Sequence, residues 1–270
     1  MMVSYPASRL DGSASSADVR LACRAGNHAA QTAGLAPGYA QANLVVVRKD
    51  LAYDFLVFCH RNPKPCPLLD VTDLGSPIPL QTSPDADLRT DLPRYRVFEL
   101  GELIDETTDI SGYWDDSMAG FLLGCSFTFE QAMLDAGIPV RHLEAGSVVS
   151  MYRTNIACTP AGPFRGEMVV SMRMIPREQV VRAVQVTSRF PAVHGAPVRI
   201  GDPEAIGVRD LNHPGWGDPP VSEPGDVPVF WACGVTPQSI AMQIKPDLMI
   251  THAPGCMFVT DTSVSHLAES

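Results

Sequence analysis

The stretch Val227 to Gly255, VPVFWACGVTPQSIAMQIKPDLMITHAPG, restricts the fold more than any other part of the chain. It reads as strand, turn, helix, strand. Val227 to Trp231 is a short apolar run suited to a buried strand, and Cys233-Gly234 breaks it. Thr236 suits a helix N-cap, with Pro237 at the first helical position, where a missing N–H leaves nothing unpaired. Pro246 stops the helix. Leu248 to Thr251 is a second strand ending at His252. In an open parallel sheet, ligands bind at the carboxyl ends of strands beside helix N-termini. That geometry would gather Cys233, Thr236 and His252 in one crevice. Each residue also has an ordinary reading, because free cysteines are commonly core residues.

Residues 40–73 repeat the strand–helix–strand pattern, which favours an α/β sheet. The middle differs. FEQAMLDAG reads as a helix, with Thr128 and Gln131 as a capping-box pattern. SVVSMYRTN and EMVVSMRMIP read as an antiparallel hairpin, followed by a helix opening at Pro176 and Glu178. The expected organisation is therefore a three-layer α/β domain with an inserted two-layer α+β domain. Residues 1–19 form a frayed N-terminus, 20–90 plus 204–265 the discontinuous α/β domain, and 91–203 the insertion.

The net charge of −10 and the absence of a basic run argue against nucleic acid as a partner. No apolar run approaches the ~20 residues that span a bilayer, so no membrane role is expected. Seven scattered cysteines without a CxxC pair suggest free thiols in a reducing cytoplasm. There is no P-loop, no GxGxxG after a strand, no GxSxG and no HExxH, so no nucleotide cofactor is expected.

Four constellations could carry chemistry. GCSFTFE places Cys125, Ser126 and Glu130 at a helix start, where unpaired N–H groups attract anions and lower a thiol's pKa. YRTN ends a strand with Arg153, suited to a carboxylate clamp, and Asn155. IGDPEAIGVRDLNHPGWGD holds Asp202 among glycines and prolines, which is also ordinary turn chemistry. HAPGCMFVTD sets His252, Cys256 and Asp261 around a turn. The three could hold a soft divalent metal, although the spacing matches no standard zinc pattern.

Together, TAGLAPGYAQAN, FCHRNPKPCPLL, GCSFTFE, YRTN, IGDPEAIGVRDL, VPVFWACGVTPQ and THAPGCMFVTD closely resemble the YcsI-like family of bacterial hydro-lyases. The resemblance runs from about residue 20 to 265 and extends to a region of eukaryotic D-glutamate cyclase. It implies a two-domain fold and a carbon–oxygen lyase that eliminates water from, or cyclises, a small carboxylate or amino-acid substrate in an interdomain cleft. The matching positions are Cys125, Ser126, Glu130, Arg153, Asn155, Asp202, Cys233, Thr236, His252 and Asp261. Such a reaction casts His252 as base or acid, with Glu130 or Asp202 as its complement. Arg153 and the helix starts at Ser126 and Thr236 would clamp the carboxylate, and Asn155 would orient it. The chain departs from the family at Cys256, where relatives have histidine, and at Ala25, where they have serine. The rivals are a non-catalytic small-acid-binding or accessory protein and a thiol-based role for Cys125 or Cys233. A divalent metal is a candidate cofactor, and a homodimer a candidate assembly.

Overall fold

The computed structural model describes residue 10 and residues 13–268. Of the expected frayed N-terminus, residues 1–9 and 11–12 lie outside the described residues, and helix α1 (Ser16–Arg24) is already under way by residue 16. Ser15 and Asp18 close a reciprocal capping box there.

The fold mixes α and β, with strands in two sheets. The first contains β1 (Tyr39–Arg48), β2 (Leu68–Val71), β3 (Tyr95–Glu99), β4 (Glu102–Thr107), β5 (Met118–Gly124), β10 (Met249–His252) and β11 (Phe258–Ser263), in the order β2-β5-β1-β10-β3-β4. β11 also pairs with β1. The second contains β6 (Ser150–Ala157), β7 (Glu167–Pro176), β8 (Arg199–Ile200) and β9 (Asp226–Ala232), in the order β6-β7-β9-β8.

Every described strand pair is antiparallel, which corrects the expected parallel sheet. The misleading signal was burial. Continuous apolar strands usually mark parallel sheets covered on both faces. Here β1 is antiparallel and still covered on both faces. Val45 and Val47 pack towards Phe55, Phe121, Val170 and Phe230, whereas Leu44 and Val46 pack towards Leu88, Leu92 and Tyr95.

The opening segment is divided between sheets: β9 belongs to the second and β10 to the first. Helix α6 (Thr236–Ile244) carries the chain between them. Nor do the sheets follow the expected limits of 91–203, since β3, β4 and β5 join the first sheet and β9 the second. The hairpin expected from SVVSMYRTN and EMVVSMRMIP is present as β6–β7.

The inner faces of the two sheets share one core with helix α2 (Lys49–Arg61). The outer face of the second sheet, with Ile175, Val229 and Trp231, lies under α3 (Phe127–Asp135) and α5 (Val180–Ser188). The short helix α4 (Arg141–Glu144) follows α3.

Candidate active site

Side chains alternate across a strand. On β7, Val170 and Met172 therefore enter the inter-sheet core, while Ser171, Arg173 and Ile175 face the helices. This puts the Arg173 side chain, 1% exposed, beneath the first turns of α3. Its guanidinium lies 5.2 Å from the Phe129 ring centre and 5.4 Å from that of Trp231. It donates from Nη1 to Ser171 Oγ at 3.1 Å, from Nη2 to Ser126 Oγ at 3.0 Å, and from Nε to Glu130 Oε1 at 3.1 Å. Nη2 also reaches the same Glu130 oxygen. A buried guanidinium requires such partners, because desolvation penalises the unpaired ion by several kcal/mol.

Glu130 is 3% exposed. Burial pushes its pKa up, but the charge of Arg173 and the approach of His142 outweigh burial and hold it below the ordinary carboxylate range. His142 Nε2 stands 3.2 Å from Oε1, out of line for a full hydrogen bond. Glu130 is thus a fixed carboxylate between a permanent cation and a titratable base.

Beside them lies a narrow pocket of about 10 Å³, room for roughly one water. Arg141, His142, Ser147, Ser150 and Arg173 supply its polar wall, and no carboxylate lines it. Both arginines are already paired behind the wall, Arg173 with Glu130 and Arg141 with Asp226 at 3.2 Å, Glu223 at 3.3 Å and Glu144 at 3.7 Å.

Of the residues expected from the sequence, Cys125, Ser126, Glu130 and Cys233 come together around Arg173. The thiols are not activated. Burial pushes Cys125 up to about 12 and Cys233 up to about 11, which corrects the lowered pKa expected at a helix start and removes the basis for a thiol nucleophile. Thr236 is fully buried, and its hydroxyl donates to Cys233 O at 2.7 Å and accepts from Val169 N–H at 3.1 Å, so it holds the turn after β9 instead of facing a ligand. Thr128 is not the cap of α3. Its hydroxyl accepts from the Gln41 N–H at 3.1 Å, and Ser126 occupies the N-cap position.

His252 does not join the cluster. Its strand partner is Leu44, one residue beyond the Val45–Thr251 pair, and opposed residues share a face. That face is the outer one of the first sheet, turned away from the second sheet. Nδ1 accepts the Leu44 N–H at 3.2 Å, and burial lowers the pKa to about 4. His252 should therefore stay neutral through pH 6 in an imidazole NMR titration and take up its proton only near pH 4. Unfolded histidine binds that proton near ~6.5, so this group's contribution to stability should be complete above pH 6.5 and lost as pH falls through that window.

The remaining expected residues lie away from the cluster. Arg153 and Asn155 are exposed on β6, and Arg153 lies 6.0 Å from the Trp216 ring centre. Asp202 is an exposed left-handed turn residue paired with Arg199. Asp261 receives a two-pronged contact from Arg20 at 2.9 Å, and Ser16 also bonds to it, which ties α1 to β11. The buried Cys256 thiol lies 3.7 Å from Ala30 O. His252, Cys256 and Asp261 therefore form no ligand set, and among the described residues no group of three or more acidic, histidine or cysteine side chains is placed to hold a metal ion.

Arg173, His142 and Arg141 were missed. The period-two pattern could have found Arg173: past Glu167 at the strand's start, it shares a face of EMVVSMRMIP with Val169, Ser171 and Ile175, which are too small or apolar to be a solvated stripe. His142 gave no such signal, because its partner Glu130 lies a whole helix away.

The D-glutamate cyclase family model matches residues 119–261, just over half of the chain and nearly all of this site. A Bacillus licheniformis protein named "Putative hydro-lyase" is 63% identical over 244 residues, covering 90% of this chain and 93% of its own length. "Putative hydro-lyase YcsI" of Bacillus subtilis is 60% identical over 251 residues, covering 93% and 98%. A solved nitrogen repressor-like protein from Methanococcus jannaschii aligns with 93% of this chain and 99% of its own at 11% identity and a TM-score of 0.38, a likeness too loose to bear on fold or function.

Proposed function

Because the chain belongs to the D-glutamate cyclase family, with the bacterial hydro-lyases among its relatives, we propose that it is a lyase that removes water from a small carboxylate or amino-acid substrate, by elimination or by cyclisation. The observation that carries this reading is the Arg173–Glu130–His142 group beside a pocket lined by Arg141 and His142. Loss of water requires a base that removes a proton, an acid that protonates the departing oxygen, and positive charge for the carboxylate. His142 suits the proton-transfer role. Glu130 orients its ring and stabilises the charge that proton uptake creates, as a carboxylate does beside a catalytic imidazole. Arg141 would receive the carboxylate by exchanging its exposed partner Glu223 for it, while Arg173 stays bound to Glu130. In a cyclising reaction the substrate ammonium gives up two protons as its nitrogen forms the C–N bond; one carboxylate C–O bond breaks, and its oxygen takes up both protons, relayed through His142, and leaves as water.

The test is purified protein against hydroxy acids and both glutamate isomers, following alkene absorbance and pyroglutamate. His142→Gln should lower kcat by about 10²–10⁴-fold. His252→Asn should alter stability and leave kcat nearly unchanged. A well-folded wild type with no turnover across the panel, or the reverse ranking of the two variants, would sink the assignment.

A further inference from the structure

All three contacts to Glu130, two from Arg173 and one from His142, end on Oε1. Among the described residues, nothing donates to Oε2. An ionised carboxyl offers about four lone-pair sites, and Oε2 is not among the sealed, unpartnered buried atoms, so this one oxygen of a 97%-buried side chain is open to a ligand or water. Glu130 does not line the pocket of Arg141 and His142. It lines a different one of about 80 Å³, walled by the loop Gly34–Gly38, by Tyr39 and Gln41, and by Phe127, Thr128 and Gln131 of α3.

The chemistry of that second wall is one-sided. Glu130 is its single charged residue among those described. The Gln41 amide is engaged with Thr32 and Leu35, and the Thr128 hydroxyl with the Gln41 backbone. Gln131 gives its amide N–H to Asp135 at 2.8 Å, which leaves its side-chain oxygen as an acceptor. The pocket therefore offers oxygen acceptors, among them the free oxygen of a carboxylate that Arg173 holds by its other oxygen, and no cationic side chain in its own wall.

We infer that this pocket binds a primary ammonium group on Glu130 Oε2. Three N–H donors on one compact cation match a bare carboxylate oxygen with neighbouring acceptors. A metal ion is a poorer occupant, since one carboxylate cannot replace the oxygen ligands that hard cations require. The site does not depend on the water-eliminating reaction. Its ammonium is either the amino end of a substrate whose carboxylate reaches Arg141 across Glu130, or a free amine.

Titration of the protein with propylammonium, followed by calorimetry or NMR, tests the site without any turnover. Saturable binding is expected, while tetramethylammonium, which has no N–H, and uncharged 1-propanol should not saturate. Glu130→Gln should weaken propylammonium at least tenfold. Because that change also touches Arg173, Gln131→Trp on the exposed rim provides a second variant, which should block the pocket and give the same loss without altering the ion pair. Absence of saturation, or affinity unchanged in a folded Gln131→Trp protein, would overturn the site even if a lyase activity were found. A chain inactive on every acid tested but binding propylammonium in this pattern would retain it. 4-Aminobutyrate separates the sources: Arg141→Gln should weaken it if one ligand spans both pockets, and leave it unchanged if the occupant is a free amine.

Discussion

Replacing Arg173 by methionine should destabilise the protein by about 3–5 kcal/mol, a fall of roughly 10 °C in Tm for a chain of this size. The loss is not that of a surface ion pair. Arg173 lies against the Phe129–Trp231 ring pair and supplies both Nε and Nη2 to Glu130, so its removal strands a carboxylate that is already desolvated. The pH dependence identifies the cause. In the native protein the depressed pKa of Glu130 contributes stability above the ordinary carboxylate range, and that contribution is lost as pH falls through its folded value. In the variant, burial without a cation raises the pKa, so protonation relieves an unpaired charge. The stability gap between variant and wild type should therefore narrow steadily from pH 7 towards pH 4 in denaturant titrations. A gap that stays constant over that range would mean that lost packing on Phe129 and Trp231, not charge, is responsible.

Gly124→Ala should cost about 3 kcal/mol or more. A Cβ at Gly124 would lie 2.1 Å from the carbonyl oxygen of Ala192 and 2.8 Å from Val193 Cγ1. The first of these is backbone and cannot swing aside. The short turn Pro191–Val193 would have to lift off the end of β5, and His194 would move with it. His194 is left-handed at φ 84° and held by Nδ1 against Lys64 O at 2.8 Å. Gly112→Ala is the control, since a Cβ there meets nothing within 4 Å; it should change stability by less than about 0.5 kcal/mol. Equal effects in thermal melts would contradict the close approach at Gly124.

The sequence conveyed local structure better than assembly. The β6–β7 hairpin was legible because alternation and a turn-rich linker are local signals. The helix over FEQAMLDAG was legible for the same reason, although its cap was placed at Thr128 instead of Ser126. Strand direction was not legible: burial of β1 from both sides removes the polar alternation that normally distinguishes an antiparallel strand. The same limit decided the site. GCSFTFE and Cys233 both come beside Arg173, because each follows a strand end, GCSFTFE that of β5 and Cys233 that of β9. His252 was assigned to them because strand, helix and strand seemed to share a sheet, whereas α6 crosses between sheets and leaves its ring on the far side. Arg173 and His142 acquire their significance only from partners distant in sequence, which no single motif displays.

The position of β10 bears on how the protein is made. It lies between β1 and β3, although it is separated from them by well over half the chain. The second sheet is drawn from one continuous stretch and has its strands in hand once β9 has been synthesised. The first sheet does not: until residues 249–252 have left the ribosome, β1 and β3 face an empty lane and present unpaired edges that invite pairing with other chains. Nascent chains stopped just before Met249 should therefore be protease-sensitive and prone to aggregate even with every residue of the Arg173 cluster synthesised, so that the last strands to emerge act as the closing step for a site to which they contribute no side chain.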